Sequence, residues 1–170
     1  MFRLEKPSLE LENTYIDYIT EWEESGEEIV PFVSRRNGLD YKELFYRWEV
    51  LSTDRAYDHG FVPSSLYFLV DENNRIYGAI HIRHVLNESL LKNGGHIGYG
   101  IRPSERRKGY VTLMLSSALP IAKSLGIHRV LVTCDKNNHA SARTIMKNGG
   151  VLENEIRDGD EAIQRYWINL

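Results

Sequence analysis

The sequence is poor in cysteine, in long apolar runs and in net charge. Cys134 is the only cysteine among 170 residues, so no internal disulfide can form and a stapled secreted scaffold is excluded. No apolar run approaches the roughly 18 residues that a membrane span needs. The opening Met1-Phe2-Arg3-Leu4-Glu5-Lys6-Pro7 lacks the apolar core of a signal peptide. A cytoplasmic protein without membrane association is the expectation. A net charge of −3 argues against broad nucleic-acid binding. No Cys/His cluster has metal-ligand spacing. His81 and His84 stand three apart on an expected strand and so point to opposite faces; no metal site is expected. Two phosphate signatures are also missing. There is no G-x-x-x-x-G-K-[ST], and Gly98-Tyr99-Gly100 lacks the later glycine of G-x-G-x-x-G. Nucleotide hydrolysis and dinucleotide oxidoreduction gain little support.

What is present is a globular composition, 42% hydrophobic and 26% charged, in a chain whose length suits one domain over residues 1–170. Charge is uneven. Residues 1–60 carry 7 Lys/Arg against 14 Asp/Glu, and residues 61–170 carry 14 against 10. Arg102, Arg106, Arg107 and Lys108 fall within seven residues, a place for an anion or simply a solvated cationic face.

The first sixty residues read as an acidic helical front. Leu11, Tyr15, Tyr18, Ile19 and Trp22 have helical spacing, with Ser8 a candidate cap and Gly26 the stop. A second helix spans about 40–51, capped by Asp40. From residue 61 a sheet pattern takes over. Residues 65–70 and 76–85 form a hairpin around Asp71-Glu72-Asn73-Asn74-Arg75, 87–95 read as a loop, and 96–101 as the next strand. A helix follows from Tyr110 to about Leu125, with a bend expected at Pro120. Residues 130–134 make a buried strand. Asn138 or Ser141 caps a helix through Met146, and two weaker strands, 151–156 and 164–169, close the chain.

The segment from 96 to 111 carries the chemistry. A strand that runs into a turn and then a helix N-terminus presents free backbone N–H groups and the positive end of the helix dipole, which favour phosphate. A side chain at Gly109 would keep phosphate oxygens from those amides. Arg106, Arg107 and Lys108 would add charge.

At these residues the sequence resembles the GNAT superfamily of acyl-CoA-dependent N-acetyltransferases. The motif [RQ]-x-x-G-x-[GA] reads Arg106-Arg107-Lys108-Gly109-Tyr110-Val111. Gly98-Tyr99-Gly100-Ile101-Arg102-Pro103 is similar to the family's fourth strand. Val130 to Cys134, Asn138-His139-Ala140-Ser141 and Lys147-Asn148-Gly149-Gly150 are similar to its fifth strand and following helix. The likeness covers about residues 62–168. It implies an α/β fold with a mixed, mostly antiparallel central sheet, helices on both faces, and fourth and fifth strands that splay apart. It also implies acetyl-CoA as cosubstrate, its pyrophosphate on the amides of Arg107 to Val111. The pantetheine would lie beside Ile101, and Asn138 would face it. Two positions depart from the pattern. Val111 replaces a small Gly/Ala, and Ile145 stands where the family often presents the tyrosine that protonates the departing thiolate.

Amide formation from a thioester needs a neutral amine, a held carbonyl and a protonated sulfur. An alkyl amine has pKa ~10 and must first lose a proton. His96, at the start of the fourth strand, is the candidate base; its plain alternative is to hold the Gly94-Gly95 turn. His81 and His84 are alternative bases. Tyr99 and Tyr166 are candidate acids or core aromatics, and Cys134 reads as a buried strand residue. The expected activity is acetyl transfer to a primary amine of a small molecule or peptide; the alternative is a catalytically weak acyl-CoA-binding sensor of the same fold. The acidic front is either a solvated face or a lure for a cationic amine. A homodimer is compatible with the sequence.

Overall fold

The computed structural model describes all residues, 1–170. In chain order the elements are β1 (Arg3–Glu5), α1 (Glu12–Ser25), α2 (Tyr41–Leu51), β2 (Ser64–Val70), β3 (Ile76–Arg83), α3 (Glu88–Lys92), β4 (Ile97–Ile101), α4 (Tyr110–Ser124), β5 (Arg129–Asp135), α5 (His139–Lys147), β6 (Val151–Asp158) and β7 (Glu161–Asn169). The strands form two sheets, ordered β1-β2-β3-β4 and β5-β7-β6, and every paired ladder is antiparallel. The expected α/β architecture is present, but the expected central sheet is divided where β4 and β5 meet.

Alternation along β2 explains why its seven residues are all buried. Tyr67 and Leu69 join Ile80, Ile82, Met114, Leu115 and Ala118 in a core under α4. Leu66, Phe68 and Val70 join Tyr15, Tyr18, Trp22 and Trp48 in a second core under α1 and α2. A strand covered on both faces is expected to be apolar along its length, and β2 is so from Leu66 to Val70 after two buried serines, Ser64 and Ser65. The aromatic residues of the helical front are therefore packing residues, with rings such as Tyr15 and Trp48 in edge contact at 5.6 Å.

Local chemistry sets the helix ends. Asp40 caps α2 in a reciprocal box with Glu43, as its sequence position predicts. Ser8 makes no side-chain cap; α1 is instead entered through a short 3-10 turn at 9–11. Gly26 ends α1 in the left-handed conformation. Pro120 lies inside α4 on its exposed side. Two elements depart from the sequence reading. Residues 88–92 form a short helix within the expected loop, capped by Asn87, and Arg3–Glu5 add a strand to the edge of β2.

Candidate active site

The division between the sheets creates the main cleft, and His96 sits at its closed end. The His96 N–H donates to Leu131 O at 2.8 Å, and the Leu131 N–H donates to His96 Nδ1 at 2.9 Å. The imidazole takes the place of a backbone carbonyl that a continuing ladder would supply. Gly95, at φ +63°, lets the chains approach so closely that a Cβ there would lie 2.4 Å from Leu131 O. Beyond this junction the ladder stops and the strands diverge. Burial, then the charge of Arg83, pushes the His96 pKa down to about 4. The imidazole is neutral at physiological pH, its Nδ1 is occupied, and it does not line the cleft. His96 is a junction residue, the arrangement its plain alternative of holding the Gly94-Gly95 turn describes.

The cleft has a volume of about 860 Å³. One wall is the open edge of β4. Arg102 N–H donates to Tyr77 O and His96 O accepts from Arg83 N–H, so the even positions of this strand turn toward β3. In an antiparallel ladder the odd positions then face away, and Ile97, Tyr99 and Ile101 direct main-chain groups at the cleft. The outward Ile101 O accepts from Arg106 Nε at 3.2 Å. Gly100 is required on this strand because a Cβ would meet Val30 O at 2.2 Å. The segment after α1 thereby lies across β4 and forms the facing wall with Trp22, Val30, Pro31 and Phe32.

At the far end the turn into α4 is built from two left-handed residues, Arg107 at φ +63° and Gly109 at φ +83°. A non-glycine residue there is strained, a feature concentrated at functional sites. The main-chain N–H groups of Arg107, Lys108, Gly109, Tyr110, Val111 and Thr112 donate to no group of the protein, and no side chain caps the helix. Left-handed residues in a turn can direct successive amides to one concave side, the arrangement of an anion nest. Gly109, Tyr110, Val111, Arg106 and Arg107 line the cleft; Lys108 does not.

The cationic run does not act as one patch. Arg102 is 3% exposed and is spent on the fold: it pairs with Asp17 at 2.8 Å and with Glu21 at 2.5 Å and donates to Ile76 O at 3.0 Å. Glu21 also accepts from the Ser104 N–H at 2.7 Å. Burial alone would raise the Glu21 carboxyl, but these bonds outweigh it and hold its pKa below the usual range. Arg106 pairs with Glu27 at 2.7 Å and lies over the Trp22 ring. Lys108 pairs with Glu105. Arg107 makes no ion pair or side-chain hydrogen bond with the protein, and its residue is exposed. Part of the acidic front is likewise consumed: Glu23 and Glu28 pair with Arg36 and Arg35.

Hydroxyls meet on the opposite side. Tyr99 of β4 and Ser141 of α5 lie 2.7 Å apart and bridge the divided sheets. Burial pushes the Tyr99 phenol up to about 12, so it stays protonated. Cys134 lines the same wall, and burial raises its thiol too. Asn138 lines the cleft while its Oδ1 caps α5 through the Ser141 N–H. Ile145 is fully buried in the core, so no hydroxyl comes from that position. Tyr166 belongs to the core and donates to Gln164. His84 lies 2.8 Å from the Ser65 hydroxyl.

A second cavity, of about 250 Å³, adjoins the first at Phe32 and Arg83, which line both. It is assembled from α2, the turns at 32–37 and 60–62, β3 and the start of α3. No short motif signals such a site. No group of three or more His, Cys, Asp or Glu gathers for a metal, and no helix is long and apolar enough to cross a membrane.

Comparison with known proteins fits this geometry. The acetyltransferase (GNAT) domain model matches residues 11–151. No curated protein is a significant match. Among solved structures the chain is similar to a ribosomal-protein-S5-alanine acetyltransferase from Vibrio fischeri, at 16% identity and TM-score 0.70, over 99% of this chain and 92% of that one. It is similar to a microcin C7 self-immunity acetyltransferase in complex with acetyl-CoA and AMP, at 16% identity and TM-score 0.67, over 99% and 92%. A mutant spermidine/spermine N-acetyltransferase from Vibrio cholerae matches at 12% identity and TM-score 0.66, over 99% and 95%. These identities establish a shared fold. The strands on either side of the division, β4 and β5, and the motif at 106–111 fall inside the span of the family model, and the chain belongs to the GNAT acetyltransferase family.

Proposed function

We propose that this chain transfers an acetyl group from acetyl-CoA to a primary amine by direct attack on the thioester. The observation that carries the reading is the run of six unpartnered main-chain N–H groups, 107–112, at the mouth of a split between two sheets. The diphosphate of the cosubstrate would take the amides from Arg107 to Val111, with Arg107 beside it and Arg106 and Lys108 adding to the local field. The pantetheine would pair with the open edge of β4 near Ile101, with Asn138 on the opposite wall. A cleft of about 860 Å³ is within the range of sites that enclose an extended small molecule.

The amine nitrogen, freed of its proton to solvent, attacks the carbonyl carbon. A C–N bond forms and the carbonyl electron pair moves onto oxygen, where an N–H of the β4 edge stabilises it. The nitrogen then gives up a second proton to solvent, and collapse of the oxyanion breaks the C–S bond. The thiolate takes a proton from the Tyr99–Ser141 pair, which recovers one from solvent, leaving an N-acetyl product and the CoA thiol. The raised pKa of Cys134 keeps this residue protonated and favours direct attack over an acyl-cysteine intermediate.

Calorimetry with acetyl-CoA tests the cosubstrate site, and thiol release across an amine panel tests turnover. Absence of binding at ~100 µM, a concentration in the ordinary KM range, refutes the reading. A sensor role gains one specific observation, the buried Ile145 in place of the family tyrosine; binding without thiol release above the amine-free rate selects it.

A further inference from the structure

The cavity beside the cleft carries chemistry that the acetyl-transfer reading does not use. None of its lining residues is Asp or Glu, yet Arg47 and Arg83 both line it, and neither arginine forms an ion pair with a carboxylate of the chain. Arg83 is the more telling. It lies on β3 at the point where both cavities meet. Only its Nη1 is engaged, with the carbonyl oxygens of Gly94 and Gly95 at 3.2 and 3.1 Å. A guanidinium has five donors, and a partly buried cation without an anion is costly unless a ligand supplies one. His81 lines the same cavity two residues earlier on the same strand face. Its Nε2 is shielded from solvent and has no partner. Leu44, Leu51 and Val62 make an apolar wall, with Phe32 and Phe61 at the rim.

The geometry points to a small α-amino acid with an apolar side chain as the amine acceptor, its carboxylate on Arg83 and its side chain in the cavity. The assignment rests on the acetyl-transfer reading above. Three substituents on one carbon match three directions here. The carboxylate meets the shared arginine, the side chain enters the apolar chamber, and the amine one bond from the same carbon is left on the cleft side, where the thioester would lie. The reaction forms the C–N bond of an N-acetyl amino acid, breaks the C–S bond, and leaves the thiol protonated. A polyamine meets two unpaired arginines instead of carboxylates, and the three carboxylates that do line the cleft are all paired, Glu27 with Arg106, Glu28 with Arg35, and Glu105 with Arg75 and Lys108. A chamber of about 250 Å³ is smaller than the ~300 to 1,000 Å³ typical of drug-sized sites and suits a single side chain.

The test compares L-leucine, L-leucinamide and spermidine as acceptors of the full chain, read by thiol release, with acetyl-CoA binding measured separately by calorimetry. Leucine should exceed leucinamide in kcat/KM by about 10- to 100-fold, the value of a charge-assisted pair in a partly buried site. In Arg83→Gln the ratio should fall toward one through a raised KM for leucine, and Arg83→Lys should restore part of it. Arg47→Gln should lower the same ratio and serves if the Arg83 variants do not fold. Leucinamide or spermidine matching leucine overturns the acceptor assignment, as does turnover of none of the three by a chain that binds acetyl-CoA. A chain that does not bind acetyl-CoA sinks the functional reading and the acceptor with it.

Discussion

Gly109 tests the amide nest most directly. A Cβ at this position would meet nothing within 4 Å, so substitution acts through backbone and charge and not through a clash. At φ +83° an alanine carries the left-handed penalty of ~1–2 kcal/mol. With a midpoint shift of ~2–4 °C per kcal/mol at this chain length, Gly109→Ala should melt about 2–8 °C lower if the turn keeps its shape. If the turn relaxes, the loss appears in acetyl-CoA affinity instead. Gly109→Glu adds a negative charge beside the expected diphosphate. Two like charges ~4 Å apart repel by ~1 kcal/mol in water and ~4 kcal/mol near a protein surface. At 1.4 kcal/mol per decade, acetyl-CoA should bind about 5- to 700-fold more weakly to Gly109→Glu than to Gly109→Ala. Calorimetry at two salt concentrations reads this directly, because added salt should shrink the difference. Equal affinity of the two variants for acetyl-CoA would refute the placement of the diphosphate.

Arg102→Met leaves Ile76 O without the Arg102 donor and Glu21 with only the Ser104 N–H. Asp17 is 64% exposed and Glu21 25%, so much of the ion-pair energy is screened, and a loss of ~2–4 kcal/mol is expected by chemical denaturation. His96 and His81 are held neutral, with pKa values pushed down to about 4 and about 3 by burial first. The unfolded chain takes up these protons near pH 6.5 while the folded chain does not. Their contribution is therefore full above pH 6.5 and is lost as pH falls toward 4; the melting temperature should drop across that window, and less steeply in His96→Gln. Tyr99→Phe and Ser141→Ala should each lower kcat by about 10²-fold or more with little change in KM for acetyl-CoA, the size expected for loss of a positioned acid; an unchanged kcat in both removes the proposed proton donor.

Much of the fold was legible from local pattern. The stripe of α1, the Asp40 cap, the hairpin of β2 and β3, and the strand-turn-helix at 96–124 depend on spacing and capping within a few residues, so the sequence alone announces them. The turn with free amides before α4 was legible for the same reason, since a helix N-terminus behind a glycine needs no distant partner. β1 was missed because three residues become a strand only by pairing with β2. Pro120 removes one backbone hydrogen bond from α4, and only the folded chain shows that the residue lies on the solvent side of the helix.

What the sequence by itself determined is this family core: the glycine at 109, the strand before it, and the helix after it. What only the tertiary structure decided is the fate of each charge and ring. Arg102 and Arg107 stand five apart in one cationic run, yet Arg102 is buried against Asp17 and Glu21 while Arg107 is exposed beside free amides. His96 faces a strand junction because Leu131 passes within hydrogen-bond reach. Arg83 stands unpaired because no carboxylate from any other segment is folded against it. Spacing along the chain governs local geometry, but the partner that sets a group's charge and exposure comes from residues dozens of positions away, and only packing brings them together.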